Sequence, residues 1–282
     1  MRSFLFNMFF YIGTFVYAVV CVLLSLLPGR RPMMAALRRY TKVMRWGMRV
    51  IAGIDVTVSG HENIPKDGPV IIAAKHQSYG DGIITFSEFF DLSFVAGNDL
   101  EKFMFLKRIL AKANAVMIDS CGGEGARETM AKKAALIRAQ GRRILIYPEG
   151  HLSQIGTHHK YRRGVYHLYK DFNCPVIPVA TNLGQRWNQT DWNKFPGKAV
   201  QEFLPAIPAG LEKEEFMERL QNAIETRSLE LLDMDNLGAL DPDDIGKISE
   251  NESARTKRLK RQKTAPEASQ DPLKTRYIRE EQ

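Results

Sequence analysis

The stretch Pro69-Val70-Ile71-Ile72-Ala73-Ala74-Lys75-His76-Gln77-Ser78-Tyr79-Gly80-Asp81 decides the fold. An unbroken apolar run of this length reads as a short strand buried on both faces, and the switch to polar residues marks its end. In open α/β sheets the loops beyond the carboxyl ends of strands collect the chemistry. His76 and Asp81, five residues apart, therefore stand where a catalytic base and its orienting carboxylate would. The plainer alternative is that His76 packs a loop while Asp81 caps a helix begun by Gly82-Ile83-Ile84-Thr85-Phe86.

Two further segments have the same form. Arg143-Ile144-Leu145-Ile146-Tyr147 runs into Pro148-Glu149-Gly150-His151, and Cys174-Pro175-Val176-Ile177-Pro178-Val179-Ala180 ends in Thr181-Asn182. Three strands releasing His/Asp, Glu/Gly and Thr/Asn at corresponding ends describe one shared cleft. Strands are expected at 55–59, 70–74, 92–96, 115–118, 143–147, 175–180 and 199–203. Helices are expected at 82–90, 100–113, 126–140, 164–171 and 212–232. This alternation predicts the α/β class: a single mixed, mostly parallel sheet flanked by helices, in a domain large enough to bury a real core.

No charged residue occurs from Ser3 to Leu27. At about 1.5 Å per residue, such a segment matches a bilayer core of about 30 Å. It is longer than a signal peptide's apolar part, and Leu26-Leu27-Pro28-Gly29 offers no small-residue cleavage site. Beyond it, Arg30, Arg31, Arg38, Arg39, Lys42, Arg45 and Arg49 alternate with Met33, Met34, Leu37, Tyr40, Val43, Met44 and Trp46. That spacing predicts an amphipathic helix with a cationic face against anionic headgroups. The expected layout is a membrane-anchoring apolar helix plus a basic amphipathic helix at 1–53, a catalytic domain at 54–236 and a disordered charged tail at 237–282. The positive-inside rule puts the domain on the cytoplasmic face, of the inner membrane if the source is bacterial. Hydropathy leaves open whether the first helix spans or lies in plane.

The chain resembles the 1-acylglycerol-3-phosphate acyltransferases, a glycerolipid acyltransferase family with an H-x-x-x-x-D motif and a later E-G-T-R motif. His76 and Asp81 match the first motif; Pro148-Glu149-Gly150 matches the start of the later one, and Val176-Ile177-Pro178-Val179 resembles an apolar-proline block. The resemblance covers roughly residues 55–232, and it favours a membrane-associating, half-inserted helical hairpin for residues 1–53. It departs where His151-Leu152 replaces Thr-Arg and where Ser120 replaces an arginine after Ala115-Val116-Met117-Ile118-Asp119. Those arginines would bind the acceptor's phosphate in a bidentate fork. The stretch His158-His159-Lys160-Tyr161-Arg162-Arg163-Gly164 either returns a guanidinium to the site or is a solvated basic loop.

The resemblance implies O-acyl transfer to the free hydroxyl of 1-acylglycerol 3-phosphate, or to a lyso-lipid without the phosphate, from acyl-CoA or an acidic acyl carrier protein. A scaffold that has kept the fold but lost catalysis is the non-enzymatic alternative. In the enzyme, His76 would take the hydroxyl proton and Asp81 would hold the ring. Backbone N–H groups of the loop or helix start are expected to meet the thioester oxygen. The expected acceptor-binding residues are Glu149, Gly150, His151, Arg162 and Arg163, with Glu149 holding a hydroxyl or a cation.

No cofactor or metal is expected: His151, His158, His159 and Glu149 match no zinc spacing. Ser78 lacks the Gly-x-Ser-x-Gly elbow of a nucleophile, and Ser153 is worse placed. Cys21, Cys121 and Cys174 suggest no disulfide framework. A net charge of +8 calls for acidic partners such as anionic lipid, coenzyme A phosphates or acyl carrier protein. No binding motif supports nucleic acid as a partner. Phe86, Phe89, Phe90, Phe103, Met104, Phe105 and Leu106 either line an acyl groove or pack a core. Trp187 and Trp192 either rim the cleft or pin a loop.

Overall fold

The computed structural model describes residues 1–97, 104–118, 124–189 and 191–248. Its strands are β1 (Ile54–Ser59), β2 (Ile71–Ala74), β3 (Ser93–Gly97), β4 (Val116–Ile118), β5 (Ile144–Ile146), β6 (Val176–Thr181) and β7 (Gly197–Phe203). Its helices are α1 (Arg2–Leu24), α2 (Arg31–Gly47), α3 (Gly80–Glu88), α4 (Met104–Ala113), α5 (Glu124–Ala139), α6 (Gly164–Phe172) and α7 (Lys213–Glu230). The strands form one sheet in the order β1-β7-β6-β2-β5-β3-β4. All pairs are parallel except β6 with β7. Each strand expected from the sequence is present.

The apolar runs are the strands covered on both faces. Ile71 and Ala73 of β2 face a core shared with α5, α6 and α7, through Ile137, Phe172 and Phe216. Ile72 and Ala74 point the other way, toward Leu145, Ile177, Phe203 and Phe89. This is the two-residue alternation of a strand buried twice over. At the sheet edge, β1 shows the mixed burial of a strand covered on one face. Pro178 lies inside β6, where a missing N–H would normally break the ladder. It is tolerated because the neighbouring chain bulges between the Val176–Ile207 bridge and the Val179–Phe203 pair.

α1 and α2 pack together with close approach at two glycines. A Cβ on Gly13 would lie 2.5 Å from the Met44 methyl, and one on Gly47 would lie 2.3 Å from the Phe9 ring. The Thr14 and Tyr40 hydroxyls bridge the pair at 2.8 Å. α1 is docked by Phe6 and Phe10, whose rings meet Trp187 edge-on at 5.1 and 5.0 Å. The Asn7 amide also donates to the Trp192 carbonyl. Trp187 thus pins the N-terminal helix instead of rimming a cleft, while exposed Trp192 stacks beside Tyr11.

The cationic residues of the second helix divide between two duties. Arg31, Arg39, Lys42 and Arg49 are exposed beside Trp46. Arg38 and Arg45 instead turn inward to the carboxyl end of α3, bonding Ser87 and Glu88, and Arg30 clamps both oxygens of Asp91. Helix carbonyls and acidic side chains at that end attract guanidinium groups.

Residues 237–248, expected in the tail, pack on the domain. Ala239 N–H donates to Gln185 O, Gly246 N–H to Gly156 O and His158 N–H to Lys247 O, while Leu240 is buried against Gly156. Fully buried Arg186 reaches Asp233 and the Asn236 carbonyl. Residues 237–248 are therefore strapped to the domain by backbone bonds that charge and polarity do not reveal, and residues 1–248 form one unit. Ser120, Cys121, Phe103, the side chains of Met104 and Phe105, and the basic block 253–263 lie outside what is described. Phe86 and Phe89 pack in the core, while Phe90 is exposed.

Candidate active site

β2 pairs with β5 on one side and β6 on the other, so the chain segments leaving them meet above the centre of the sheet. His76 follows β2, and α3 starts four residues later with Asp81 in its first turn. Asp81 Oδ2 accepts from His76 Nδ1 at 3.2 Å and from the backbone N–H groups of Gln77 and Ser78 at 2.7 and 2.8 Å. One carboxylate oxygen therefore sets both the loop and the imidazole. Asp81 is buried, whereas the His76 side chain is 20% exposed. Its ring lies flat on Tyr147, with centroids 3.7 Å apart and planes 14° from parallel. With Nδ1 facing the carboxylate, Nε2 is the nitrogen left for a substrate proton.

These bonds alter two expectations. The N–H groups of Gln77 and Ser78 serve Asp81, that of Gly80 serves Ser78 Oγ, and that of Asp81 serves the Ser78 carbonyl, so none of the four is left for an oxyanion. Thr181 and Asn182 do not face the cleft. Thr181 Oγ1 accepts from Leu183 N–H, and Asn182 bonds Val200, Gln185 and Leu231. Only two of the three strand ends carry site chemistry.

Both serines considered as nucleophiles are buried and occupied. Ser78 Oγ accepts from Gly80 N–H, and Ser153 Oγ lies 3.1 Å from the His76 carbonyl and 3.3 Å from Glu149. Among the described residues no cluster of His, Cys, Asp and Glu could hold a metal ion, and Cys21 and Cys174 are free.

The Glu149-Gly150 turn folds beside the His76 loop. Glu149 Oε1 accepts from His76 N–H at 3.4 Å, and Ser153 N–H donates to the His76 carbonyl at 2.7 Å. Glu149 Oε1 also pairs with the buried ammonium of Lys75 at 3.2 Å. Lys75 Nζ also donates to Glu225 Oε2 at 2.7 Å and to Thr157 O at 3.0 Å. Tyr161 donates to Glu225 Oε1 at 2.7 Å. Burial raises the Glu149 carboxyl to about 7, with Glu225 adding to the rise and Lys75 opposing it. Burial and the nearby carboxylates push the Tyr161 phenol well above its ordinary range.

Gly150 has φ +74°, and a Cβ there would lie 2.4 Å from Arg162 Nε. The Arg162 guanidinium thus lies on the turn, donating to the Glu149 carbonyl at 3.3 Å, and is itself exposed. Arg163 is exposed at the N-cap of α6. His151 packs edge-on against buried His159 at 4.1 Å. Burial, then His159 and Arg162, lower the His151 imidazole to about 4, so it is neutral near pH 7.

Lys75, Glu225, Tyr161 and Tyr147 were not singled out from sequence. Lys75 carried a readable signal, since a lysine closing a doubly buried strand needs carboxylate partners. Glu225, one of several acidic residues on α7, carried none.

A base-and-carboxylate loop at the centre of such a sheet, next to a Glu-Gly turn, is the arrangement of an acyltransferase domain. A family model described as Acyltransferase matches residues 55–182. A 1-acyl-sn-glycerol-3-phosphate acyltransferase of Pseudomonas aeruginosa is 31% identical over 209 residues, covering 74% of this chain and 81% of that protein. The human 1-acyl-sn-glycerol-3-phosphate acyltransferase alpha is 24% identical over 210 residues, 73% of each chain. In fold, the chain matches the crystal structure of the 1-acyl-sn-glycerophosphate (LPA) acyltransferase PlsC from Thermotoga maritima. The TM-score is 0.68 at 22% identity, over 82% of this chain and 98% of that one. The chain belongs to the 1-acylglycerol-3-phosphate acyltransferase family and is an O-acyltransferase.

Proposed function

We propose that this enzyme esterifies the free hydroxyl of 1-acylglycerol 3-phosphate with an acyl group from acyl-CoA or acyl carrier protein, forming phosphatidic acid. The observation carrying this reading is the Arg162 guanidinium seated against Gly150, because it supplies a phosphate-binding fork where Leu152 cannot. His76 Nε2 takes the hydroxyl proton as oxygen attacks the thioester carbonyl. Asp81 stabilises the imidazolium that forms. The tetrahedral adduct then expels the thiolate, which leaves as thiol with the proton from His76. Transfer is direct, since Ser78 and Ser153 are both engaged elsewhere. Gly150 keeps the approach to Arg162 open, neutral His151 lines it, and Arg163 adds positive charge at its rim.

A lyso-lipid lacking the phosphate is the second reading, favoured by Leu152 where an arginine is expected. An acceptor panel with one thioester separates the two. Product from the phosphate-bearing lipid, lost in His76→Ala and reduced at least tenfold in kcat/KM by Arg162→Ala, is the expected result. Transfer confined to phosphate-free acceptors would exclude the first reading. A scaffold would acylate none of them.

We further propose that the enzyme works at the cytoplasmic face of its membrane with α1 in the bilayer interface. α1 is long and apolar enough to cross a membrane, yet its inner side is docked on Trp187 while Phe4, Met8, Ile12, Phe15 and Val19 stay exposed along the other. Arg31, Arg39, Lys42 and Arg49 would meet anionic headgroups. In vesicle flotation, Ile12→Asp with Phe15→Asp should weaken membrane partitioning roughly a hundredfold or more, from the two apolar side chains withdrawn. Unchanged flotation would remove α1 as the anchor.

A further inference from the structure

The reaction described above makes no use of Lys75, Glu225 or Tyr161, although each is tied into one buried network. Lys75 is 1% exposed, and its ammonium joins three parts of the chain: Glu149 in the turn after β5, Glu225 on α7, and the Thr157 carbonyl between them. Glu149 in turn accepts from the His76 backbone N–H. A charge change at Glu149 is therefore felt directly at the backbone of the residue that carries the reacting imidazole. We infer that Lys75 and Glu225 are opposed positioning residues which set the charge of Glu149, and that ionised Glu149 locks the Glu-Gly turn onto the His76 loop in the competent geometry. The inference rests on the acyltransferase reading for its rate readout alone.

The buried charges do not balance if all ionise, since two carboxylates face one ammonium. Burying that surplus in a low-dielectric site is costly, and one proton relieves it. Glu149 is where the proton goes. Its Oε2 is buried with no partner among the described residues, which leaves that oxygen to carry hydrogen. Burial and Glu225 hold the carboxyl up at about 7, against Lys75. The groups facing Glu149 are Lys75 and the His76 backbone from the β2 end, Ser153 and His151 from its own loop, Tyr161 and Arg162 from before α6, and Glu225 from α7. When Glu149 is protonated, the Lys75 contact loses its charge attraction and the turn is less firmly held.

Two substitutions should act with opposite sign. Lys75→Met removes the opposite charge, and the ascending limb of kcat/KM against pH should move up by about 1–3 pH units. Glu225→Gln removes the like charge and should move it down. Adding Glu149→Gln to either variant should abolish its displacement. Residues with a merely structural role would lower the rate equally at every pH.

Thermal unfolding supplies a readout independent of catalysis. Glu149 ionises more readily in the unfolded chain than in the folded one, so the native state holds an extra proton between about pH 4.5 and 7. By linkage, its contribution to stability falls as pH rises through that window and is flat beyond it. Glu149→Gln should remove that slope, Glu225→Gln should narrow the window, and Lys75→Met should extend it upward. If Lys75→Met does not fold, Glu225→Gln alone decides, since its window must shrink. Equal pH profiles in all variants, or a displacement that persists once Glu149 is gone, would overturn the inference. A wild type that acylates no acceptor but shows these stability shifts would instead overturn the functional reading and leave the network standing.

Discussion

Replacing His76 with alanine is expected to lower acyl transfer by about 10²–10⁴-fold, the range of a positioned general base, with folding and vesicle binding retained. The ring is stacked on Tyr147 but carries none of the loop's backbone bonds, which belong to Asp81. Its removal should therefore leave the loop in place and move the thermal midpoint little. Asp81→Ala provides the contrast. It frees the imidazole and also strands the buried N–H groups of Gln77 and Ser78, at about 1–3 kcal/mol for each group left unpaired. The first variant should lose rate without stability, and the second should lose both. Steady-state rates together with thermal midpoints check this. A rate within tenfold of wild type in purified His76→Ala would remove the imidazole from the mechanism.

Trp187→Ala should produce the largest loss of stability, about 3–5 kcal/mol for deleting a buried indole. Trp187 is 3% exposed and receives the edges of Phe6 and Phe10 from α1. It also closes over Gly80, where a Cβ would lie 3.1 Å from the indole, beside the His76 loop. The same substitution should undock α1 from the domain, seen as faster proteolysis between α1 and α2 at temperatures where the core is still folded. Trp192→Ala, at an exposed ring, should change the midpoint far less. Equal effects from the two indoles would mean that α1 is held by something other than Trp187.

The strands were legible because doubly buried strands have no polar face to blur the run. β2 ends at Ala74, where its apolar run gives way to Lys75, and β5 is the apolar core Ile144-Leu145-Ile146 of its run. The His76 and Asp81 pairing was legible for a related reason, since a five-residue spacing across a strand-to-helix turn is local geometry. Its detail was not. That Asp81 also holds two backbone N–H groups follows from a turn conformation no spacing specifies. The spacing predicts a single cationic face on α2, yet Arg38 and Arg45 are drawn to the end of α3. Composition cannot separate cations that meet lipid from cations that meet a helix terminus.

The positions of the strands, the order of the elements, the base-and-carboxylate loop and the apolar N-terminal helix were determined by sequence alone, because each depends on residues near one another along the chain. Only the tertiary structure decided what surrounds Glu149. Lys75, Glu225 and Tyr161 converge there from separate elements, with Lys75 and Glu225 150 positions apart in the chain. It likewise decided that Trp187 anchors α1 and that 237–248 is strapped down. A buried charge takes its partner from whatever the packed core brings within reach, and that choice exists only once the sheet and its helices have closed.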